Sequence, residues 1–408
     1  MAVLPWGVAN RPHFPEKEAD AQGESARRNV LMTTGLYLHI PFCRSKCAYC
    51  DFFSLPVPGA AELQRYGELL LRQLRQEASS WGGPVATIFF GGGTPSLLPP
   101  ATVGEILETV AATMGIAGDA EITLEANPGT VDAAALTELR QAGINRLSLG
   151  LQSLDDRQLL ALGRGHDVAA GLAAVAAARR AGFANLSLDL IYALPGQQVA
   201  ALERELQALV ALAPEHISTY ALTVEEGTVF YSRVTTGAIL LPDEEETARH
   251  YRAVDGLLTA AGYAHYEISN FARPARACRH NLDTWRRRPY LGLGAGAHSF
   301  RAEGWGERRA APPDLDLYAR RVASGESASD RLESFDRRGA MSEVLYLGLR
   351  TAEGVSESDF CQRFGLGVAA AFPAALQRCG PRLRCVGDRW TFDLQGWLLY
   401  DHLISFFL

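Results

Sequence analysis

A strict alternation of strand-like and helical segments constrains this chain more than any other feature in it. Short leucine-, β-branched- and aromatic-rich runs at residues 36–40, 85–90, 121–125, 146–151, 185–191 and 216–222 read as strands. Between them, residues 61–79, 101–114, 131–142, 167–181 and 199–212 carry apolar side chains at helical spacing. Parallel neighbours need a crossover long enough to hold a helix, so this alternation predicts an α/β fold with a parallel sheet. Six units fit a partial (βα)6 barrel better than a closed eightfold one. In parallel barrels, functional groups gather on the loops at the carboxyl ends of strands. The residues that follow each predicted strand are therefore the place to look for chemistry.

The first such loop reads His39-Ile-Pro-Phe-Cys43-Arg-Ser-Lys-Cys47-Ala-Tyr-Cys50. Three cysteines spaced CxxxCxxC could be an incomplete zinc site or plain buried thiols. Zinc sites favour paired CxxC knuckles, however, and Cys278, Cys361, Cys379 and Cys385 are too scattered to supply a second pair. A cubane iron–sulfur cluster fits better. Four thiolates would saturate its irons, whereas three leave one iron open to chelation by a small molecule.

The other strand ends carry groups suited to holding such a molecule. Gly91-Gly-Gly-Thr-Pro-Ser96 follows the second strand, and its missing Cβ atoms let a ligand approach the backbone. It lacks the Gly-Lys-Ser/Thr of a phosphate loop. Glu125-Ala-Asn-Pro128 ends the third strand, Gly150-Leu-Gln152-Ser ends the fourth, and Asp189 sits late in the fifth. Glu125, Gln152 and Asp189 offer acceptors for an ammonium and for ribose hydroxyls, and Arg164 offers a planar fork for a carboxylate. A lone carboxylate at a strand end is usually a solvated loop residue. The placement of all five points on one rim predicts a shared cavity. A later run, Gly292-Leu-Gly-Ala-Gly296-Ala-His298-Ser, superficially suggests a dinucleotide fingerprint, but it lacks the flanking strand and helix and reads as a tight packing turn.

Charge and composition narrow the class. The net charge of −7, with no basic stripe, gives no electrostatic footprint for nucleic acid. No apolar run is long enough to span a bilayer, and the N-terminus has no secretory apolar segment. A cytoplasmic protein is expected, since oxygen-labile thiolates favour a reducing compartment. Residues 1–33 lack periodicity and read as a disordered extension, with Met32 as an alternative start. The apolar run 398–408 is short and reads as a core helix.

The segment 37–49, the Gly91–Ser96 stretch, Glu125 to Pro128, Gln152 and Asp189 together resemble the coproporphyrinogen dehydrogenase-like radical S-adenosylmethionine (SAM) family, over about residues 35–408. The resemblance implies a [4Fe-4S] cluster on Cys43, Cys47 and Cys50. It implies SAM held by Tyr37, Gly92, Gly93, Thr94, Glu125, Gln152, Arg164 and Asp189, with Tyr49 beside the cluster. Oxygen-independent coproporphyrinogen III dehydrogenases carry a further cysteine two positions after the third; here that position is Phe52. The chain is instead similar to the haem-chaperone branch, which carries a late His-Asn-x-x-Tyr-Trp motif. Here the motif reads His280-Asn-Leu-Asp-Thr284-Trp285, with threonine where the family has tyrosine. The resemblance implies haem as cargo, with His280 or the nearby Cys278 as iron ligand and Trp285 against a porphyrin face.

It further implies a SAM barrel over 34–240, a barrel-completing region over 241–330, and a small helical C-terminal domain over 331–408 with a hairpin near 383–392. Two functions follow: delivery of haem to respiratory haem proteins, some of them at the membrane, or radical decarboxylation of porphyrinogen propionates. Peripheral membrane location and a homodimer are compatible with either.

Overall fold

The computed structural model describes residues 34–408, so the expected N-terminal extension and the start at Met32 lie outside the described residues. The six expected strands form: β1 (Thr34–Ile40), β2 (Val85–Gly92), β3 (Ile116–Ala126), β4 (Arg146–Gln152), β5 (Leu186–Tyr192) and β6 (His216–Ala221), each parallel to the next. The crossovers are helical: α1 (Ala60–Glu77), α2 (Pro100–Thr113), α3 (Ala133–Ala142), α4 (Asp156–Leu162), α5 (Val168–Arg180) and α6 (Val199–Ala211). Their starts are chemically marked. The side chains of Asp132 and Asp167 accept the backbone N–H groups of Ala135 and Ala170, and Gly143 and Gly163 end α3 and α4 in the left-handed conformation.

Alternation along each strand separates two environments. Leu36, Leu38, Ile88, Phe90, Leu124, Leu147, Leu149, Leu188 and Ile217 are fully buried beneath the helices. Each such side chain contributes about 1.5–3 kcal/mol on burial. The opposite face carries Tyr37, His39, Thr87, Glu125, Arg146, Ser148, Ser187, Asp189 and His216. The barrel is thus apolar outside and polar within.

The sheet is larger than six strands. After α7 (Val229–Thr235) and α8 (Glu244–Ala260) come β7 (Ala264–Glu267) and β8 (Asn270–Ala272); β8 adds antiparallel to β6, and β7 antiparallel to β8. Following α9 (Arg279–Trp285), β9 (Tyr290–Leu293) pairs parallel with the far side of β1. β10 (His298–Arg301), β11 (Glu307–Ala310) and β12 (Asp330–Ser334) continue antiparallel from it, giving twelve strands in the order β12-β11-β10-β9-β1-β2-β3-β4-β5-β6-β8-β7.

The Gly292 run therefore does have a strand beneath it, contrary to the sequence reading. Only Gly294 to Ala297 form the turn, with Gly294 and Gly296 at φ +104° and +78°. β3 begins five residues before its expected start, and α4 was not expected. The run 398–408 is not one helix. Leu398 ends a helix, Leu394–Leu398, and after a break at Leu399 come a second helix, Tyr400–Ile404, and a 3-10 turn, Ser405–Phe407, with Tyr400, Leu403, Ile404 and Phe407 buried.

α10 (Leu315–Ser324) packs on α1, and α11 (Arg337–Gly348) opens the C-terminal region. The expected hairpin forms, Leu383–Val386 against Arg389–Phe392, with Val355–Ser356 as a third strand. A buried charge triad ties this region to the sheet. The Glu343 carboxylate on α11 accepts from Arg287 and, at 2.6 Å, from Arg308 on β11, while Arg287 also lies 4.6 Å over the ring of Phe300.

Candidate functional site

The cysteine loop leaves β1 at Ile40 and is held mainly by backbone. Phe42–Cys43 pairs with Leu55–Pro56, Leu55 N–H donates to the Pro41 carbonyl and Val57 N–H to that of Cys43, so both ends of the loop are fixed. Ala48, in the middle, donates to the Leu162 carbonyl at the end of α4 (3.0 Å) and accepts from Phe230 of α7 (2.9 Å). A Cβ on Gly163 would press within 3.2 Å of Ala48 N, which helps explain a glycine there.

All three thiols are half-buried and free. Thr94 Oγ1 donates to Cys43 Sγ (3.5 Å) and Arg164 Nη1 to Cys47 Sγ (3.3 Å). Burial pushes the Cys43 thiol up and the Cys50 thiol to about 11, with backbone and side-chain donors pulling the other way. Thiolates here require a compensating cation such as a bound metal supplies. Among the described residues no three His, Cys, Asp or Glu side chains converge to hold a single metal ion.

A chain of hydrogen bonds joins the strand ends to this loop. Thr94 accepts from Asn127 Nδ2 (3.0 Å), the Asn127 carbonyl oxygen of the side chain accepts from Arg164 Nη2, and the same nitrogen donates to the Gly150 carbonyl (3.0 Å). The path runs from Cys43 through Thr94, Asn127 and Arg164 back to Cys47. Asn127 is the residue that sequence reasoning passed over, although it lies inside the quoted Glu125–Pro128 motif; its role depends on register between β2, β3 and the α4 end.

The glycines are explained by space. Gly93 N–H donates to the Ile40 carbonyl, and a Cβ at Gly93 would lie 2.8 Å from the Phe42 carbonyl oxygen. At Gly92, with φ +108°, it would strike the His39 ring at 2.6 Å. His39 is fixed by the Tyr37 hydroxyl (3.1 Å) and the Phe53 carbonyl (3.2 Å), and burial lowers its pKa to about 4. Gln152 turns back at φ +68°, its amide close to Gly150. Behind it, Glu205 of α6 accepts from Ser153 Oγ and Leu154 N–H, both at 2.9 Å.

Glu125 faces the interior opposite Ser148. Asp189 lies deeper than expected, at the middle of β5, where Ser148 and Ser187 donate to it at 3.2 and 3.3 Å and burial raises its pKa. Arg164 Nε is buried with no hydrogen-bond partner among the described residues. Bare glycine backbone, an orphaned guanidinium nitrogen and donors on two thiol sulfurs suit a thiolate-held cluster with an amino-acid ligand beside it.

The late motif lies at the opposite end. Glu121 caps α9, accepting from the N–H groups of Arg279 and His280, both at 3.1 Å, and from the Cys278 thiol. His280 is buried, its Nδ1 3.0 Å from Thr87 Oγ1 and its ring stacked on Phe89; burial takes its pKa to about 3 and that of Cys278 to about 12. Thr284 donates to the His280 carbonyl within the helix, and Arg350 of the C-terminal region covers Trp285 at 4.5 Å. His280, Cys278 and Trp285 are thus walled in.

The Radical SAM superfamily matches residues 37–209, and the HemN C-terminal domain matches residues 335–399. The chain is 40% identical over 340 residues to the Heme chaperone HemW of Synechocystis sp., covering 80% of each chain. It is 42% identical over 269 residues to the Heme chaperone HemW of Escherichia coli, covering 66% of this chain and 70% of that one. The mitochondrial Radical S-adenosyl methionine domain-containing protein 1 of Bos taurus is 38% identical over 84% of this chain and 79% of its own. Among solved structures, Coproporphyrinogen III oxidase (HemN) from Escherichia coli superposes with a TM-score of 0.79 at 23% identity, over 92% of this chain and 90% of that one.

Proposed function

The chain belongs to the HemW family of radical SAM proteins, and from that premise we propose that it binds haem and hands it to haem-dependent proteins, respiratory ones among them. Identity to the Synechocystis heme chaperone across four fifths of both chains carries this reading. Phe52, where coproporphyrinogen dehydrogenases have a further cysteine, supports it. Cys43, Cys47 and Cys50 would hold a [4Fe-4S] cluster, whose open iron supplies a chelation point for the amino-acid end of SAM. Around that point, the backbone of Gly92, Gly93 and Thr94 would accommodate the ligand, Glu125 and Gln152 would accept from its ammonium, and Arg164 would serve its carboxylate. Asp189 and Tyr37 would complete the SAM site, and Tyr49 would lie beside the cluster. Among the described residues no helix is long and apolar enough to cross a membrane. A reducing compartment suits the oxygen-labile cluster thiolates, and on that ground we place the protein in the cytoplasm, with contact to membrane-bound acceptors peripheral.

Two measurements check this reading. Anaerobically reconstituted protein binds haem one to one and makes no protoporphyrinogen from coproporphyrinogen under reducing conditions; measured turnover would overturn the chaperone assignment. By calorimetry, Glu125→Ala and Asp189→Ala each weaken SAM binding by about tenfold or more, the cost of one charge-assisted contact, while cluster absorption stays intact. Unchanged affinity in both would remove SAM from this rim.

A further inference from the structure

Resting on the reading of Asp189 as a SAM contact, we propose that His216 and Tyr266 are positioning residues for that site: acting through Ser187, they supply a hydrogen bond that holds the Asp189 carboxylate ready for the ribose hydroxyls. His216 opens β6 and Tyr266 lies in β7, so both stand away from the carboxyl ends of the parallel strands.

Register builds the chain of contacts. Ser187 and Asp189 share the inner face of β5, and Ser187 pairs with His216 of β6. Ser187 Oγ lies 3.3 Å from Asp189 Oδ1 and 2.8 Å from His216 Nδ1. The other ring nitrogen, Nε2, lies 2.8 Å from the Tyr266 hydroxyl, which accepts the Cys278 N–H at 3.3 Å. A path of four hydrogen bonds therefore runs from the start of α9 to the carboxylate. Ser187 and His216 are buried, whereas Asp189 keeps partial exposure, as a ligand contact requires.

The direction of each bond follows from counting protons. The Cys278 N–H can only donate, so it occupies a lone pair of the Tyr266 oxygen, and the phenol proton has one described acceptor, His216 Nε2. Burial holds the Tyr266 phenol far above the ordinary tyrosine range, so that proton stays in place. Burial, reinforced by Arg146 of β4, keeps His216 neutral, and a neutral ring that accepts at Nε2 carries its proton on Nδ1. The Nδ1–H group then donates to Ser187 Oγ, which leaves the serine proton for Asp189. Without the Tyr266 hydroxyl no described group fixes this tautomer. The ring can then carry its proton on Nε2 and accept from Ser187 at Nδ1, leaving the carboxylate one donor short.

The test uses the full-length, cluster-reconstituted protein. Nitrogen NMR of histidine-labelled protein, with the His216 signals assigned by their loss in His216→Asn, should show the Nδ1–H tautomer in the wild type and the Nε2–H tautomer in Tyr266→Phe. By calorimetry, Tyr266→Phe and His216→Leu should each weaken SAM binding by about five- to tenfold, the loss of one hydrogen bond to a charged group. His216→Asn, whose side-chain amide can donate where Nδ1–H stood, should recover most of that loss. The pH profile separates positioning from packing. SAM binding needs the ionised carboxylate and falls as pH drops through its pKa, which burial and Glu125 of β3 raise, Ser218 of β6 and Arg146 of β4 lower, and Tyr220 of β6 also faces. Losing a donor raises that pKa, so the acid limb in Tyr266→Phe should move to higher pH; a residue that only fills space would leave it in place. An Nε2–H tautomer in the wild type would overturn the proposal. So would wild-type SAM affinity and pH profile in Tyr266→Phe alongside weakened binding in Asp189→Ala, and either result leaves the SAM site standing. Wild-type affinity in Asp189→Ala would remove both.

Discussion

Cys43→Ala, Cys47→Ala and Cys50→Ala proteins, reconstituted anaerobically, are each expected to lose the visible iron–sulfur absorption almost completely while keeping wild-type circular dichroism. The fold survives because the loop is held by the backbone bonds of Pro41, Cys43 and Ala48 rather than by the sulfurs. The cluster does not survive, because three thiolates are already one short of full ligation and no other described cysteine is near enough to substitute: Cys278 is sealed at the far end of the barrel, and Cys361, Cys379 and Cys385 belong to the C-terminal region. Iron and sulfide analysis decides the matter. Full iron in any of the three variants would dismiss the ligand set, and stoichiometric zinc in the wild type would replace the cluster with a different metal altogether.

The second large effect lies away from the site. Glu343→Gln is expected to lower stability by about 3–5 kcal/mol, because it removes the carboxylate that both buried guanidinium groups share. Arg287 and Glu343 side chains are 1% and 7% exposed, and burial already lowers the Arg287 pKa. Without the carboxylate, Arg287 and Arg308 would face each other at close range in a poorly solvated place. Urea titration followed by tryptophan fluorescence would show a lower midpoint, and since Glu343 joins α11 to β11, the C-terminal region should loosen first. A midpoint unchanged from wild type would mean that water reaches the triad and screens it.

Much of the barrel could be read in advance because each strand's buried leucines and isoleucines sit against helices that are adjacent in sequence. What escaped was set by contacts distant in the chain. β9 has only four residues and owes its place to β1, some 250 positions earlier. β10 to β12 are short and carry Arg and Glu at positions that pairing, not hydrophobicity, makes into strands. α4 is a seven-residue helix whose ends are marked by Asp155 and Gly163, signals too brief to outweigh the surrounding loop. At the site, cysteines and glycines declare themselves by spacing. Asn127 does not, since it becomes a connector only once register brings Thr94 and Arg164 alongside it.

The manner in which the cysteine loop is anchored bears on how such a segment can drift over generations. Its fixed points are main-chain N–H and carbonyl groups, which every residue except proline supplies alike. Ser45 and Lys46 are exposed between the first two thiols. Their letters are nearly free to change, but the count of residues between one anchor and the next is not. A single insertion would carry Ala48 away from Leu162 and Phe230 and swing the last two sulfurs off their bearing. Such a loop preserves a ruler rather than a text.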